Sequence, residues 1–104
     1  MIRIGQMVKV KPDGLAAYKW YHANPLPGVN EMIKKCHIQN YTIYNLGDYL
    51  FASFEYVGDD IDADMEMMRR DPATQKWWAT VHPYLQPIEE GKIWSDMEEV
   101  YHLD

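Results

Sequence analysis

The sequence predicts an α+β fold in which helices cover one face of an antiparallel sheet. Two observations support this prediction. Apolar and polar residues alternate near the start of the chain and in two neighbouring stretches in the middle, which is the period of half-buried strands. Segments with apolar residues at helical spacing separate and follow these stretches. The 104 residues suffice for one domain, residues 1–104, with a modest core.

The first strand is predicted over residues 2–10. Its apolar face carries Ile2, Ile4, Val8 and Val10, and the opposite face carries Arg3, Lys9 and Lys11. Gln6 interrupts the apolar face at its centre. Because a buried amide needs a hydrogen-bond partner, Gln6 is either satisfied inside the protein or reaches into a pocket.

Two helices are predicted next. Pro12-Asp13-Gly14 begins a helix that runs to about His22, and the proline-rich stretch 24–28 ends it, because proline disfavours helical backbone at the residue before it. A shorter helix, about Val29 to Cys36, has apolar residues at helical spacing.

Two strands, about 38–45 and 49–57, follow, with Leu46-Gly47-Asp48 as a hairpin connection. Gly58-Asp59-Asp60 opens a methionine-rich helical region, and Asp71-Pro72 begins a further helix. The segment 88–97 is predicted to be a loop and Glu98–Leu103 a last strand. This order is the ferredoxin-like α+β pattern. The sheet face without helices also needs cover, so we expect a homodimer.

Composition excludes several classes of function. The net charge of −6 and the absence of a Lys/Arg cluster argue against nucleic-acid binding. Cys36 is the only cysteine, which excludes an internal disulfide. No apolar run is long enough to span a membrane. We therefore expect a soluble cytoplasmic protein. His37, His82 and His102 show no metal-ligand spacing, so no metal or other cofactor is expected.

Adjacent tryptophans, Trp77 and Trp78, lie in the last predicted helix. Successive helical side chains point about 100° apart, so both indoles cannot face one narrow core stripe. Either both fill the core, or one anchors it while the other lines a groove for a small, partly apolar molecule such as a sugar. Periodicity alone leaves both interpretations open.

A few polar side chains are candidates for chemistry. Tyr18 and His22 are four residues apart and share one helix face, where the imidazole could pass protons near neutral pH. Tyr41 lies in the second strand and shares a face with Ile43. Glu55 is a charge inside an apolar strand, and we interpret it as a solvent-facing residue at a sheet edge.

These features occur together in an order that resembles one known family. Met1-Ile2-Arg3, Tyr18-x-x-x-His22, Asn40-Tyr41-x-Ile43-Tyr44, Leu50-Phe51-Ala52 with Glu55, and Trp77-Trp78 closely resemble L-rhamnose mutarotases. The resemblance runs from Met1 to about Thr80 and returns at Glu98–Tyr101. It implies a dimeric α/β barrel that interconverts the α and β anomers of L-rhamnose, or a related deoxy-sugar, without a cofactor. It also implies that His22 is the proton donor and that Tyr18, Tyr41, Trp77 and Trp78 contact the sugar.

The sequence departs from the family pattern after the histidine. The family commonly has Ile-Trp-Pro-Glu where this chain has Pro25-Leu26-Pro27-Gly28, and the segment from Val81 to Trp94 follows the family poorly. The preferred sugar and the catalytic base therefore stay open. The alternatives are a dimeric α/β-barrel monooxygenase or haem-handling relative, and a non-catalytic sugar-binding module.

Overall fold

The computed structural model describes residues 1–104 and is built around an antiparallel sheet. Its strands and helices, in chain order, are β1 (Ile2–Val10), α1 (Leu15–Ala23), α2 (Val29–Lys35), β2 (Ile38–Leu46), β3 (Tyr49–Tyr56), α3 (Ile61–Arg70), α4 (Pro72–Val81), β4 (Leu85–Gln86) and β5 (Ser95–Met97). A 3₁₀ turn, His82–Tyr84, joins α4 to β4. Every helix is too short to cross a lipid bilayer.

The strand order confirms the ferredoxin-like prediction. The sheet runs β2-β3-β1-β4, with β5 pairing with β1 alongside β4. Gly47 has a φ of 59° in the tight turn between β2 and β3, a conformation that glycine adopts at little cost. Because β3 lies between β2 and β1, Glu55 is not at a sheet edge. The interpretation of Glu55 as an edge residue was therefore wrong.

The helices pack on the sheet face that carries the even-numbered residues of β1 and β3. Val8 pairs with Leu50 on this face, and both are buried in the main core cluster together with Val10 and Trp77. A second cluster contains Phe54 and Tyr56 and packs beneath α3. In each cluster, alternate residues of a strand pack against helix residues that recur every three or four positions.

The opposite face of the sheet, which we call the open face, carries large exposed apolar side chains. They are Tyr44, Leu46, Tyr49 and Met97. No helix covers this face, so these apolar side chains are in contact with solvent in the single chain.

The aspartates that precede the last two helices act as N-caps. Asp60 accepts a hydrogen bond from the backbone N–H of Ala63, and Asp71 accepts one from that of Thr74. An N-cap of this type stabilises a helix by about 1 kcal/mol. The helix starts predicted at these two aspartates are thus confirmed.

The predictions for the end of the chain were wrong. Residues 98–104 have no regular structure, and the last strand is instead β5, inside the segment predicted to be a loop. Three residues are too few for alternation to be visible in a sequence. The pairing of β5 with Gly5–Met7 of β1 is a tertiary contact that local sequence does not encode.

Candidate active site

A cavity of about 1000 Å³ lies between the sheet and the helices. The five candidate residues from the sequence, Tyr18, His22, Tyr41, Trp77 and Trp78, all line it. Helix α1 supplies the first two, the second strand supplies Tyr41, and α4 supplies the indoles. Side chains that are far apart in the sequence therefore line one cavity, which is the arrangement that a small-molecule site needs.

The imidazole of His22 is held in one tautomer by its own helix. Its Nδ1 lies 2.8 Å from the backbone carbonyl oxygen of Tyr18, one turn earlier. A carbonyl oxygen only accepts hydrogen bonds, so Nδ1 carries the proton and donates it. Burial lowers the pKa of His22, and this hydrogen bond opposes the shift only in part. The neutral ring consequently presents the lone pair of Nε2.

Two phenols accompany this imidazole. The ring of Tyr18 lies 4.1 Å from that of His22, centroid to centroid, and burial raises the pKa of Tyr18, with a further contribution from nearby Tyr41. Tyr41 is 40% exposed, yet its hydroxyl end is desolvated, which raises its pKa to about 12. Both hydroxyls are therefore neutral hydrogen-bond donors at physiological pH.

A β-bulge directs Tyr41 into the site. The register between β2 and β3 shifts between Gln39 and Thr42, and Asn40 adopts a φ of 51°. The amide side chains of Gln39 and Asn40 both donate to Glu55, at 2.9 and 2.7 Å, which lowers the pKa of that carboxyl. Bulges commonly re-aim a side chain beside a functional site.

The re-aimed phenol rests on a flat apolar support. The ring of Tyr41 is stacked on Phe54 at 5.2 Å with an interplanar angle of 7°. Glu55 itself belongs to the opposite sheet face, since it pairs with Arg3. Its contribution to the site is thus indirect: it anchors the bulge that carries Tyr41.

The two indoles have different surroundings. Trp77 is only 9% exposed and meets the rings of Tyr21 and His22 edge-on, at 6.5 and 5.0 Å. Trp78 is half-buried, lines the cavity and is stacked on His82 at 5.8 Å with an interplanar angle of 16°. Trp77 is therefore the more deeply packed residue, and Trp78 is the more accessible cavity wall.

His82 is a cavity residue that the sequence did not indicate. It lies at the end of α4, and burial lowers its pKa. The other three imidazoles each form a hydrogen bond through a ring nitrogen, whereas His82 forms none in the protein. Its position four residues after Trp78 was the available signal, but the same spacing fits an ordinary helix end.

In the stretch Pro25-Leu26-Pro27-Gly28, which departs from the family pattern, the backbone conformation explains the glycine. Gly28 precedes α2 with a φ of 87°, and a Cβ there would lie 3.1 Å from the Cβ of Ala73. Larger residues are strained in this conformation. Leu26 packs against the main core cluster, while Pro25 borders the cavity.

Comparison with known proteins identifies a family and a matching fold. A family model described as "L-rhamnose mutarotase" matches residues 3–103. Proteins named L-rhamnose mutarotase from Lactiplantibacillus plantarum and Shouchella clausii are 28% and 30% identical to this chain. The alignments cover 100% of both chains in the first case and 99% of both in the second.

Two solved structures share the fold. The L-rhamnose mutarotase FA22100 from Formosa agariphila superposes with a TM-score of 0.78 at 20% identity, covering 100% of both chains. Tetracenomycin F2 cyclase from Streptomyces glaucescens, a type-II polyketide cyclase, gives 0.68 at 19% identity, covering 100% of this chain and 98% of the cyclase. At these identities the likeness supports the fold and no more.

Proposed function

Because this chain belongs to the L-rhamnose mutarotase family, we propose that it interconverts the α and β anomers of L-rhamnose or a related deoxy-sugar. The observation that carries the proposal is the neutral imidazole of His22, whose free Nε2 shares one cavity with two neutral phenols. Ring opening of a hemiacetal needs one group that takes a proton and another that gives one. The scheme requires no metal or redox group, so we propose a reaction without a cofactor.

The sugar is proposed to lie against Trp78. An indole face packs on the C–H face and the methyl group of a deoxy-sugar, and its N–H can donate to a hydroxyl. Trp77, which is deeper, supports the ring of His22 from the side. We propose that Tyr18 and Tyr41 donate from their hydroxyls to oxygen atoms of the same sugar.

The proton path follows from the tautomer of His22. Nε2 takes the proton of the anomeric hydroxyl while a phenol donates its proton to the ring oxygen, and the C1–ring oxygen bond breaks. The resulting aldehyde rotates about the C1–C2 bond. The phenolate then recovers its proton from the oxygen that attacks C1, and the imidazolium of His22 donates its proton to the new anomeric oxygen.

This path contains the donor role that the family resemblance implies for His22, but assigns it to the closing step. In the resting protein the neutral ring has no proton at Nε2 to give, because its single N–H is engaged with the carbonyl of Tyr18. His22 is therefore first the base and then the acid.

The test is anomer exchange measured by NMR in the presence of wild-type protein and of His22→Gln. We expect wild type to accelerate the exchange of L-rhamnose and the variant to lose this acceleration while remaining folded. His102→Gln, which changes an exposed imidazole far along the chain, is the matched control and should behave as wild type. Exchange no faster than buffer for every sugar in a panel of deoxy- and hydroxy-hexoses would refute the proposed function.

We further propose that the chain acts as a homodimer joined through the open face and located in the cytoplasm. Tyr44 and Leu46 on that face are 65% and 75% exposed, which is unusual for apolar side chains clustered in a small protein. The unpaired Cys36 suits a reducing compartment. Sedimentation should give twice the chain mass for wild type and a single mass for Leu46→Lys; a monomeric wild type contradicts the dimer.

A further inference from the structure

Gln6 and Asp96 form a polar pair on the sheet side of the cavity. Gln6 occupies the centre of β1 on the face that the helices cover, and it lines the cavity. Asp96 lies directly opposite it on β5. The Nε2 of Gln6 donates to Oδ1 of Asp96 at 2.9 Å.

This contact fixes the orientation of the amide. A carboxylate accepts hydrogen bonds and has none to give, so the nitrogen of Gln6 must face Asp96. The carbonyl oxygen Oε1 then points the other way, and no donor of the protein reaches it. A half-buried acceptor without a partner beside a cavity is suited to a hydroxyl group of a ligand.

The register of the sheet relates Gln6 to the Tyr41 side of the cavity. Across the sheet, Gln6 pairs with Ala52, whose side chain is a single methyl group. Two residues earlier on β1, Ile4 pairs with Phe54, whose ring is stacked on that of Tyr41. Two residues along a strand span about 7 Å, so the Phe54–Tyr41 stack and Gln6 occupy neighbouring positions in the lining of one cavity.

The end of the segment from Val81 to Trp94, which follows the family poorly, borders this side of the cavity. Ile93 and Trp94 line the cavity, and the next residues form β5, which carries Asp96 to its position on β1. Trp94 thus supplies an aromatic wall, and Asp96, two residues later, supplies the carboxylate that orients Gln6.

We propose that Oε1 of Gln6 accepts a hydrogen bond from one ring hydroxyl of the substrate sugar, and that Asp96 is the positioning residue for this contact. The inference rests on the proposed function for the identity of the ligand. It makes Gln6 a residue that discriminates among sugars, because a hexose that lacks the hydroxyl leaves the acceptor unpaired and binds less well.

The experiment compares wild type, Gln6→Leu and the control Gln75→Leu by NMR titration with L-rhamnose and with its 2-deoxy, 3-deoxy and 4-deoxy analogues. Gln75 also donates one side-chain hydrogen bond, but outside the cavity. We expect wild type and Gln75→Leu to bind one analogue about tenfold more weakly than L-rhamnose, and Gln6→Leu to bind both sugars equally. Persistence of the preference in Gln6→Leu, or unchanged affinity of that variant for L-rhamnose, overturns the inference.

The role of Asp96 has its own readout. Asp96→Ala releases the amide, so KM should rise several-fold with kcat nearly unchanged, whereas Asp96→Asn keeps an oxygen acceptor and should restore KM to within about threefold of wild type. A loss of thermal stability without a change in KM would show that the pair is only structural.

The two proposals fail in different ways. Affinity is measured without turnover, so a protein that binds L-rhamnose through Gln6 but does not accelerate exchange contradicts the mutarotase function and leaves the Gln6 contact supported. Normal exchange with no Gln6-dependent preference supports the mutarotase function and contradicts the Gln6 contact. A wild-type protein that binds none of the four sugars overturns the inference on Gln6.

Discussion

The adjacent tryptophans should separate into one residue that stabilises the fold and one that binds the sugar. Replacing tryptophan by phenylalanine removes three ring atoms, each comparable to a buried CH₂ group worth about 0.8 kcal/mol. Trp77 is 9% exposed, so Trp77→Phe should lower the free energy of unfolding by about 2–3 kcal/mol. For a domain of this size, that loss lowers the melting temperature by roughly 10–15 °C.

The corresponding change at Trp78 should weaken sugar binding more than it lowers stability. Trp78 lines the cavity while half-buried, so Trp78→Phe should cost less than half of the stability lost at Trp77. Its smaller ring reduces the surface on which the sugar packs. A loss of about 1 kcal/mol in that contact raises KM about fivefold.

Thermal denaturation and NMR exchange kinetics on the two variants measure both quantities. Trp20→Phe is the matched control, because the indole of Trp20 is 60% exposed on α1 and its truncation should change neither stability nor KM. Equal losses of stability at Trp77 and Trp78, or an unchanged KM for Trp78→Phe, would refute the division of roles.

Three further predictions concern the site and its supports. Because the burial of His22 lowers its pKa and the neutral ring is the reactive form, kcat/KM should stay level near neutral pH and fall as the pH drops through that depressed pKa, below about 6.5; a profile that falls with rising pH near neutrality would contradict the base role. Asn40→Ala places alanine at a φ of 51° and removes a donor to Glu55, so the bulge should shift Tyr41 and raise KM several-fold in exchange kinetics, and an unaltered KM would speak against the bulge. Gly28→Ala adds a Cβ at a φ of 87° and 3.1 Å from Ala73, which should lower the free energy of unfolding by about 1–3 kcal/mol in urea titration; an equal or higher stability would show that this backbone is not strained by a side chain.

The sequence was sufficient wherever a local signal and the tertiary fold agree. The N-caps Asp60 and Asp71 mark their helices because one side-chain oxygen satisfies a nearby backbone N–H, which is a contact within four residues. The same applies to the Gly47 turn. The cavity also collects the five candidate residues, since Tyr18 and His22 share a helix face and Tyr41 shares a sheet face with Ile43.

The failures concern contacts between distant residues. β5 forms because Ser95–Met97 pair with β1. The role of Asp96 depends on its hydrogen bond with Gln6, which is 90 residues away in the sequence. Both interpretations of Gln6 apply in part, since its amide nitrogen donates to Asp96 and the residue also lines the cavity. His82 was missed because its four-residue spacing from Trp78, on which it stacks, is common to any helix and does not indicate a site.

The most direct test of the central claim is the exchange rate between the anomers of L-rhamnose, measured by NMR with wild-type protein and with His22→Gln at matched concentrations. The neutral imidazole with a free Nε2 predicts an accelerated rate for wild type and the buffer rate for the variant, with L-rhamnose still bound by both. Equal acceleration by the two proteins would contradict the assignment of proton transfer to His22.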